Sequence, residues 1–460
     1  MIQINYNLTP EGLGKQLVRF WELSGEKILN IEKKFDGSSG SPVYTAKGNY
    51  STRGWTEWTQ GFQYGSAILN YEATGAKEFL EIGKNGTIRK MSGHLTHMGV
   101  HDHGFNNISS YGNLLRLMKE GLMDEDQWER KYYELALKVS GAVQASRWTQ
   151  LSDGGFIYSF NGPHSLFIDT IRSVRILMIS HLLGQELLGE DDIKIKLMDR
   201  AFDHIRTTAK YSVYYGEGRD QYDIPGRTAH ECIFNVKNGA FRSPSSQQGF
   251  SGRTTWTRGL AWAMLGFAEE LEFVEQLHDL ELKNSEIKND MLHIIIRAVK
   301  ATCDFYIDNT PADGIPYWDT GAPMLYKIKD YLSMPADPFN NFEPVDSSAA
   351  LIAAQGLMRF GNYLRTHQQY GDPEKYFKAG LTVFNRLLSE PYLSEEPDHQ
   401  GLILHSIYHQ PNGWDYKPEK DKAAYGESSM WGDYHARELA IYVEKLIKHG
   451  PYYTYYNCVR

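Results

Sequence analysis

Apolar positions in this chain recur mostly at three- and four-residue spacing, the signature of helices with one buried face. In TTWTRGLAWAMLGFAEELEFVEQL (254–277), Leu260, Met264, Phe267, Ala268 and Leu271 fall on one helical stripe. The same spacing predicts helices in WERKYYELALKVSGAV (128–143), SVRILMISHLLGQEL (173–187), MLHIIIRAVKATCDFYI (291–307), VDSSAALIAAQGLMRFGNYL (345–364) and GDYHARELAIYVEKLI (432–447). Ser347 or Ser348 is the expected N-cap within 345–364. Turn-rich pieces such as KFDGSSGSP, GEGRDQYDIPGR and YLSMPADPFNNFEP separate the helices. Strand-like runs are short, at GGFIYSF and LILHSIYH, and too few for a sheet domain. Roughly ten to twelve helices with no low-complexity linker predict a single all-α domain over 1–460, with 1–50 a partly loop-like N-terminal segment. Two arrangements remain open on pattern alone, an α-solenoid or a closed toroid of helix hairpins. No fixed-period repeat marks a solenoid, and Gly-, Trp- and His-bearing turns at one end of many helices suit a barrel mouth.

Composition narrows the classes of partner. Hydrophobic residues make up 41% of the 460, and 30 Tyr and 10 Trp supply rings of the kind that pack against sugar C–H faces. The net charge of −9 comes without a clustered basic face, so neither nucleic acid nor an anionic membrane is an expected partner. Three dispersed cysteines, Cys232, Cys303 and Cys458, form neither a metal spacing nor a disulfide framework. The first residues, MIQINYNLTPEGLG, lack a basic n-region and an apolar h-region. A cytoplasmic location is therefore expected, or a periplasmic one if a signal peptide has been removed.

Three segments carry candidate chemistry. HMGVHDHGF (97–105) holds His97, His101 and His103 around Asp102. His97 and His101 could share a helix face as metal ligands, but Met98 stands where a zinc protease carries its glutamate. Gly99 and Gly104 also bracket the run as a turn, which leaves two other readings: histidines bonded to backbone, or Asp102 presented as a functional carboxylate. In SLFIDTIRSVRIL (165–177), Asp169 sits among Leu166, Phe167, Ile168 and Ile171. It is either a helix N-cap or an acid whose pKa an apolar pocket raises toward neutrality. Asp102 would then be the more polar member of a carboxylate pair. In 228–268, Trp256 and Trp262 could frame a sugar and Arg258 could hold a carboxylate, with His230 and Gln248 upstream. Both Trp could equally be core, with Arg258 tying down a loop.

Taken together, the sequence resembles the unsaturated glucuronyl hydrolases, glycoside hydrolase family 88. The pieces WTQGF, HDHGF, IDT, the His230 segment, QG (248–249), WTRGLAW, GIPYWDTGAP, PVDSSAA and SSMWGDY follow in the family's order, from residue 58 to 434. The resemblance implies an (α/α)6 barrel, a six-hairpin toroid with its active site at the mouth. The implied reaction is hydrolysis of a Δ4,5-unsaturated uronic acid at the non-reducing end of polysaccharide-lyase products, by hydration of the vinyl ether. Asp169 would then be the acid that also activates water, and Asp102 would orient the sugar and tune Asp169. Trp58, His101, His230, Gln248, Trp256, Arg258 and Trp262 would form the sugar-binding wall. No metal or other cofactor is implied, the unsaturated uronyl oligosaccharide is the only implied partner, and the oligomeric state stays open.

The chain departs from the family pattern at Gln63, at Gln247 where a His is common, at Leu260 in RGLAW, and at Arg172 and Arg175 where apolar residues are usual. It also carries extra residues over 274–290. These positions bear on the rim and the leaving group. An unsaturated rhamnogalacturonyl hydrolase is the nearest alternative. An epimerase using histidine acid–base pairs, an inverting glycosidase and a non-catalytic glycan binder belong to other classes. The lysines of DYKPEKDKAAYGESS (415–429), Lys417, Lys420 and Lys422, are either a solvated loop or a contact for an acidic neighbouring sugar.

Overall fold

The computed structural model describes every residue except 39, 55, 279–284 and 460, so part of the lengthened connection expected at 274–290 lies outside the described residues. The chain begins with α1 (Gly14–Lys34), the hairpin β1 (Ser41–Ala46) and β2 (Asn49–Arg53), α2 (Gln60–Thr74), α3 (Lys77–Lys90), the single turn α4 (Ser92–Leu95) and α5 (His103–Asn107). A π-helical stretch, Ile108–Gly112, joins α5 to α6 (Asn113–Lys119). Then come α7 (Gln127–Ser146), β3 (Trp148–Leu151), β4 (Gly154–Ile157), β5 (Ser165–Phe167), α8 (Thr170–Ser173) and α9 (Arg175–Leu182). The small hairpin β6 (Glu186–Leu188) and β7 (Lys194–Lys196) leads into α10 (Leu197–Tyr211), and β8 (Glu231–Phe234) and β9 (Phe241–Ser245) precede α11 (Thr257–Gln276). The chain closes with α12 (Ser285–Asn309), α13 (Ser347–Leu364), α14 (Pro373–Leu387) and α15 (Met430–Ile447).

The architecture is thus mostly helical, and each helix predicted from periodicity is present. The differences have local causes. The cap of α13 is Asp346 rather than a serine: its carboxylate accepts from the backbone N–H of Ser348 and Ala349, and the Ser348 hydroxyl donates to the same oxygen. The predicted helix at 173–187 stops at Leu182 because Gly184 turns the chain at φ +81°, which a glycine adopts without strain. Residues 1–50 are less loop-like than expected, since Leu17, Phe20, Trp21, Ile28 and Ile31 form a buried stripe along α1. LILHSIYH forms only isolated bridges, Leu393 with Ile403 and Leu404 with Ser428.

Burial alternates along the chain. On α3 only Phe79, Gly83 and Thr87 are buried, one stripe four residues apart, and α1, α7, α10 and α14 are similarly one-sided. In contrast, α11 is buried from Thr257 through Val274, and α13 is buried throughout except at Asn362. Helices α5, α6, α8, α9 and most of α15 are also enclosed. A helix buried all round must sit inside a shell of others. Packing of α11 on α13 is close enough that a Cβ on Gly356 would lie 2.8 Å from the Met264 carbonyl carbon. Full burial of Leu260, Met264, Phe267 and Leu271 on α11 contributes about 2 kcal/mol each. No described helix is long and apolar enough to cross a membrane. The segments that enter α2, α5, α8 and α11 meet at one end of these enclosed helices and line a cleft.

Candidate active site

Asp102 and Asp169 stand at the N-cap positions of α5 and α8, yet neither side chain makes a capping hydrogen bond. Both carboxyls turn instead into a cleft of about 360 Å³, where each residue is 8% exposed. Local structure fixes their approach. A Cβ on Gly104 would lie 2.0 Å from the Ser173 carbonyl oxygen, so only glycine lets the turn after Asp102 close on α8. The Ser173 hydroxyl accepts from Gly104 N–H (3.0 Å), and it donates, with the Gln144 amide, to the His101 carbonyl. Strand β5 pairs antiparallel with β8, and Ile168 N–H donates to His230 O at 2.9 Å, which sets Asp169 at the strand's exit.

Between the carboxyls lies His101. Its Nε2 is 3.3 Å from Asp169 Oδ1 and 3.8 Å from Asp102 Oδ1, and its ring packs against Phe160 and Phe167. Burial raises Asp169, but the hydrogen bond and charge of His101 outweigh it and hold this carboxyl below its usual range. Burial pushes Asp102 above its usual value; His101 opposes that push and the charge of Asp169 adds to it. Burial lowers His101, yet the two carboxylates raise it overall. The directions differ from the sequence expectation: burial favours the neutral form of Asp102, while His101 holds Asp169 toward its ionised form. The cause is proximity, since the imidazole is nearer to Asp169.

Eight of the nine residues expected at the site line this cleft: Trp58, His101, Asp102, Asp169, Gln248, Trp256, Arg258 and Trp262. His230 lies behind it, packed against Phe167 and Trp256. Its Nδ1 accepts from the N–H groups of Gln247 and Gln248, and burial lowers its pKa to about 4, so it is neutral. His230 thus shapes the Gln247–Gln248 turn. Arg258 is not free to clamp a ligand carboxylate: it donates to Asp346 (2.6 Å), to Gln248 Oε1 and to the Ile407 and Tyr408 carbonyls. These contacts match the loop-tying reading of Arg258, which borders the cleft as well. Trp262 is at once floor and core, packed on Phe105 and His435. Trp58 stacks on Trp431 at 5.1 Å.

Of the other histidines in 97–105, His103 bonds the Ser140 hydroxyl and the His97 carbonyl, whereas His97 borders the cleft. Among the described residues no three His, Cys, Asp or Glu side chains are disposed to hold a metal ion. Sequence reasoning missed Glu57, Phe160, Tyr408, His409 and Trp414, all on the cleft wall. Glu57 adjoins the WTQGF piece, and burial together with Asp102 raises its carboxyl to about 7, against the Trp58 N–H that pulls it down. Tyr408 and His409 end the strand-like run LILHSIYH, and Trp414 lies in the irregular loop before the lysine-bearing rim.

The chain is similar to known proteins over most of its length. An unsaturated glucuronyl hydrolase from Bacillus sp. (strain GL1) is 26% identical over 415 residues, covering 89% of this chain and 90% of that protein. An unsaturated chondroitin disaccharide hydrolase from Streptococcus agalactiae is 23% identical, covering 90% and 88%. The crystal structure of an unsaturated glucuronyl hydrolase from Streptococcus agalactiae superposes with a TM-score of 0.70 at 21% identity, over 94% of this chain and 92% of that one. The model for Glycosyl Hydrolase Family 88 matches residues 39–307, more than half of the sequence, and the chain belongs to that family.

Proposed function

We propose that this protein removes a Δ4,5-unsaturated uronic acid from the non-reducing end of oligosaccharides left by polysaccharide lyases, glycosaminoglycan lyases among them. The observation that carries the reading is the Asp102–His101–Asp169 cluster, two carboxyls sharing protons through one imidazole inside an aromatic-walled cleft. A vinyl ether is hydrated by a proton donor and a water, and this cluster holds a donor and an acceptor within about one hydrogen bond of each other. The substrate's own carboxylate favours the protonated form of Asp169, because a nearby like charge disfavours ionisation. The proton on His101 then passes to Asp169. From there it goes to C4 of the sugar, and positive charge develops at C5 beside the ring oxygen. Water adds at C5 and returns its proton to the Asp169 carboxylate. The resulting hemiketal opens to the keto form, and the bond to the neighbouring sugar breaks.

Asp102, whose burial favours the neutral form, donates to a sugar hydroxyl and limits negative charge beside Asp169. Trp58, Trp256 and Trp262 pack on the sugar face, His101 and Gln248 meet its polar edge, and Arg258 and His230 hold the wall in place. Alternation of enclosed helices with one-sided helices supports the six-hairpin toroid in one domain spanning 1–460. Incubation with lyase digests of several acidic polysaccharides tests the function. The expected result is loss of the ultraviolet absorbance of the conjugated enol ether, with release of a shortened saccharide. Release of sugar from saturated substrates, or formation of a stereoisomer with no cleavage, would refute it.

A further inference from the structure

The outer end of the cleft carries a cation that the reaction above leaves unused. Arg53, the last residue of β2, is exposed, and among the described residues its side chain forms no ion pair or hydrogen bond. Its guanidinium carbon lies 5.4 Å from the Trp414 ring centroid and 5.7 Å from that of Tyr408. Both rings line the same cleft as the carboxyl cluster. Trp414 is 46% exposed whereas Asp102 and Asp169 are 8% exposed, so the rings mark the mouth and the carboxyls the inner end.

This mouth is built rather than loose. The Asp415 carboxylate is buried and accepts from the N–H groups of Tyr408 and His409, closing residues 408–415 into one turn. His409 packs on Trp414 at 4.7 Å, and Tyr408 packs on Trp414 at 5.3 Å and on Trp431. Tyr408 and His409 are also tied to the inner wall, because Arg258 donates to the Tyr408 carbonyl. An exposed aromatic pair of this kind is a platform for a sugar face, and a guanidinium stacked beside it keeps its N–H fork free for an anion. In a chain of net charge −9, an unpaired arginine on a ligand-facing edge is unlike its surroundings. The lysines of the following rim are less apt: Lys422 is already paired with Glu419.

We propose that Tyr408, Trp414 and Arg53 form the subsite for the sugar next to the unsaturated uronate, and that Arg53 selects a neighbour bearing an anionic group. The inference rests on the hydrolase reading above, which places the scissile bond between the carboxyl cluster and this mouth. A sulfate ester and a carboxylate share the required chemistry, since each offers two or more anionic oxygens to the fork.

The experiment compares kcat/KM on three unsaturated uronyl disaccharides, with the second sugar neutral, sulfated or carboxylated. Wild-type protein is expected to prefer at least one acidic partner by roughly five- to tenfold, a preference that shrinks with added salt. The preferred arm identifies the anion. In Arg53→Gln the ratio of acidic to neutral substrate falls to near one, and in Arg53→Lys part of it survives. Equal rates on all three substrates in wild type, or a ratio unchanged in Arg53→Gln, would overturn the subsite. Failure to turn over any of the three substrates refutes the hydrolase reading, and with it the subsite; turnover of all three without preference refutes the subsite alone.

Discussion

Replacing Asp169 with asparagine probes how protons are distributed in the cleft. The side chain keeps its shape, so the strand exit at Ile168 and the packing of Phe167 are preserved, but the group can no longer carry a proton. A positioned acid–base group contributes about 10²–10⁴ in rate. The proposed carboxyl serves both the protonation of C4 and the activation of water, so kcat should fall by about 10³ or more with little change in KM. Stability changes too, with a sign fixed by the pKa. The folded-state value of Asp169 lies below its usual range because of His101, so its ionised form stabilises the fold above the unfolded value near ~3.9. That contribution is lost as pH falls through the folded value. Asp169→Asn should therefore melt below wild type at pH ~7, and the gap should close as pH drops below about 4. Loss of enol-ether absorbance reports the rate, and thermal unfolding across pH reports the fold. A folded variant within tenfold of wild-type rate would refute the assignment of Asp169 as the acid.

Three further outcomes follow from the same geometry. Asp102→Asn should slow the reaction by about 10². Because burial raises Asp102, its contribution to stability is full below the unfolded pKa and is lost as pH rises through the folded value, so the variant should gain on wild type as pH rises, read by melting temperature against pH. Glu57 is neutral below about 7 and charged above it, so KM for an anionic uronate should rise as pH passes about 7, and Glu57→Gln should flatten that window in a Michaelis–Menten series. Arg258→Gln leaves the buried Asp346 without its cation and should cost about 3 kcal/mol in denaturant unfolding, since breaking one side of a buried pair strands the other charge.

The helices were legible because burial imposes a three-to-four-residue spacing, but that spacing predicts one buried face and did not mark α11 and α13 as enclosed. Eight of nine expected site residues share one cleft because their motifs lie at helix entries, where a side chain can leave the core. Asp169 stands at the N-cap position without a capping side-chain bond, which leaves its carboxyl to the cleft. Less visible were features that depend on long-range contact. Nothing in the sequence shows that His101 lies nearer to Asp169 than to Asp102, and this half-ångström difference goes with the opposite directions in which the two carboxyls shift. Arg258 reads as a ligand clamp until Asp346 and the 407–408 carbonyls, far away in sequence, are seen to occupy it. Trp414 and Arg53 belong to irregular or edge segments, where period carries no signal.

An acidic cleft that accepts an acidic sugar poses a charge problem, and its solution makes a last prediction. Glu57, Asp102 and Asp169 all border the cavity, and Arg258, its buried cation, is already neutralised by Asp346. Under the proposed function the uronate enters a site whose inner end draws positive character from His101 and from the N-terminal ends of α2 and α11, with Arg53 at the mouth. In the proposed reaction its charge would raise Asp169 and let the His101 proton move across 3.3 Å, so that binding itself would convert the resting carboxylate into the acid. A substrate whose uronate is methyl-esterified brings no such charge. It should bind with a KM no worse than that of the free acid, because repulsion is relieved, but turn over roughly tenfold more slowly, the equivalent of about one pKa unit less drive toward protonated Asp169. Steady-state rates on the ester and the free acid, measured on the same disaccharide, give both numbers. Equal kcat values would show that the acid is armed before substrate arrives, and the proton would then have to be stored on Asp169 in a way that its contact with His101 opposes.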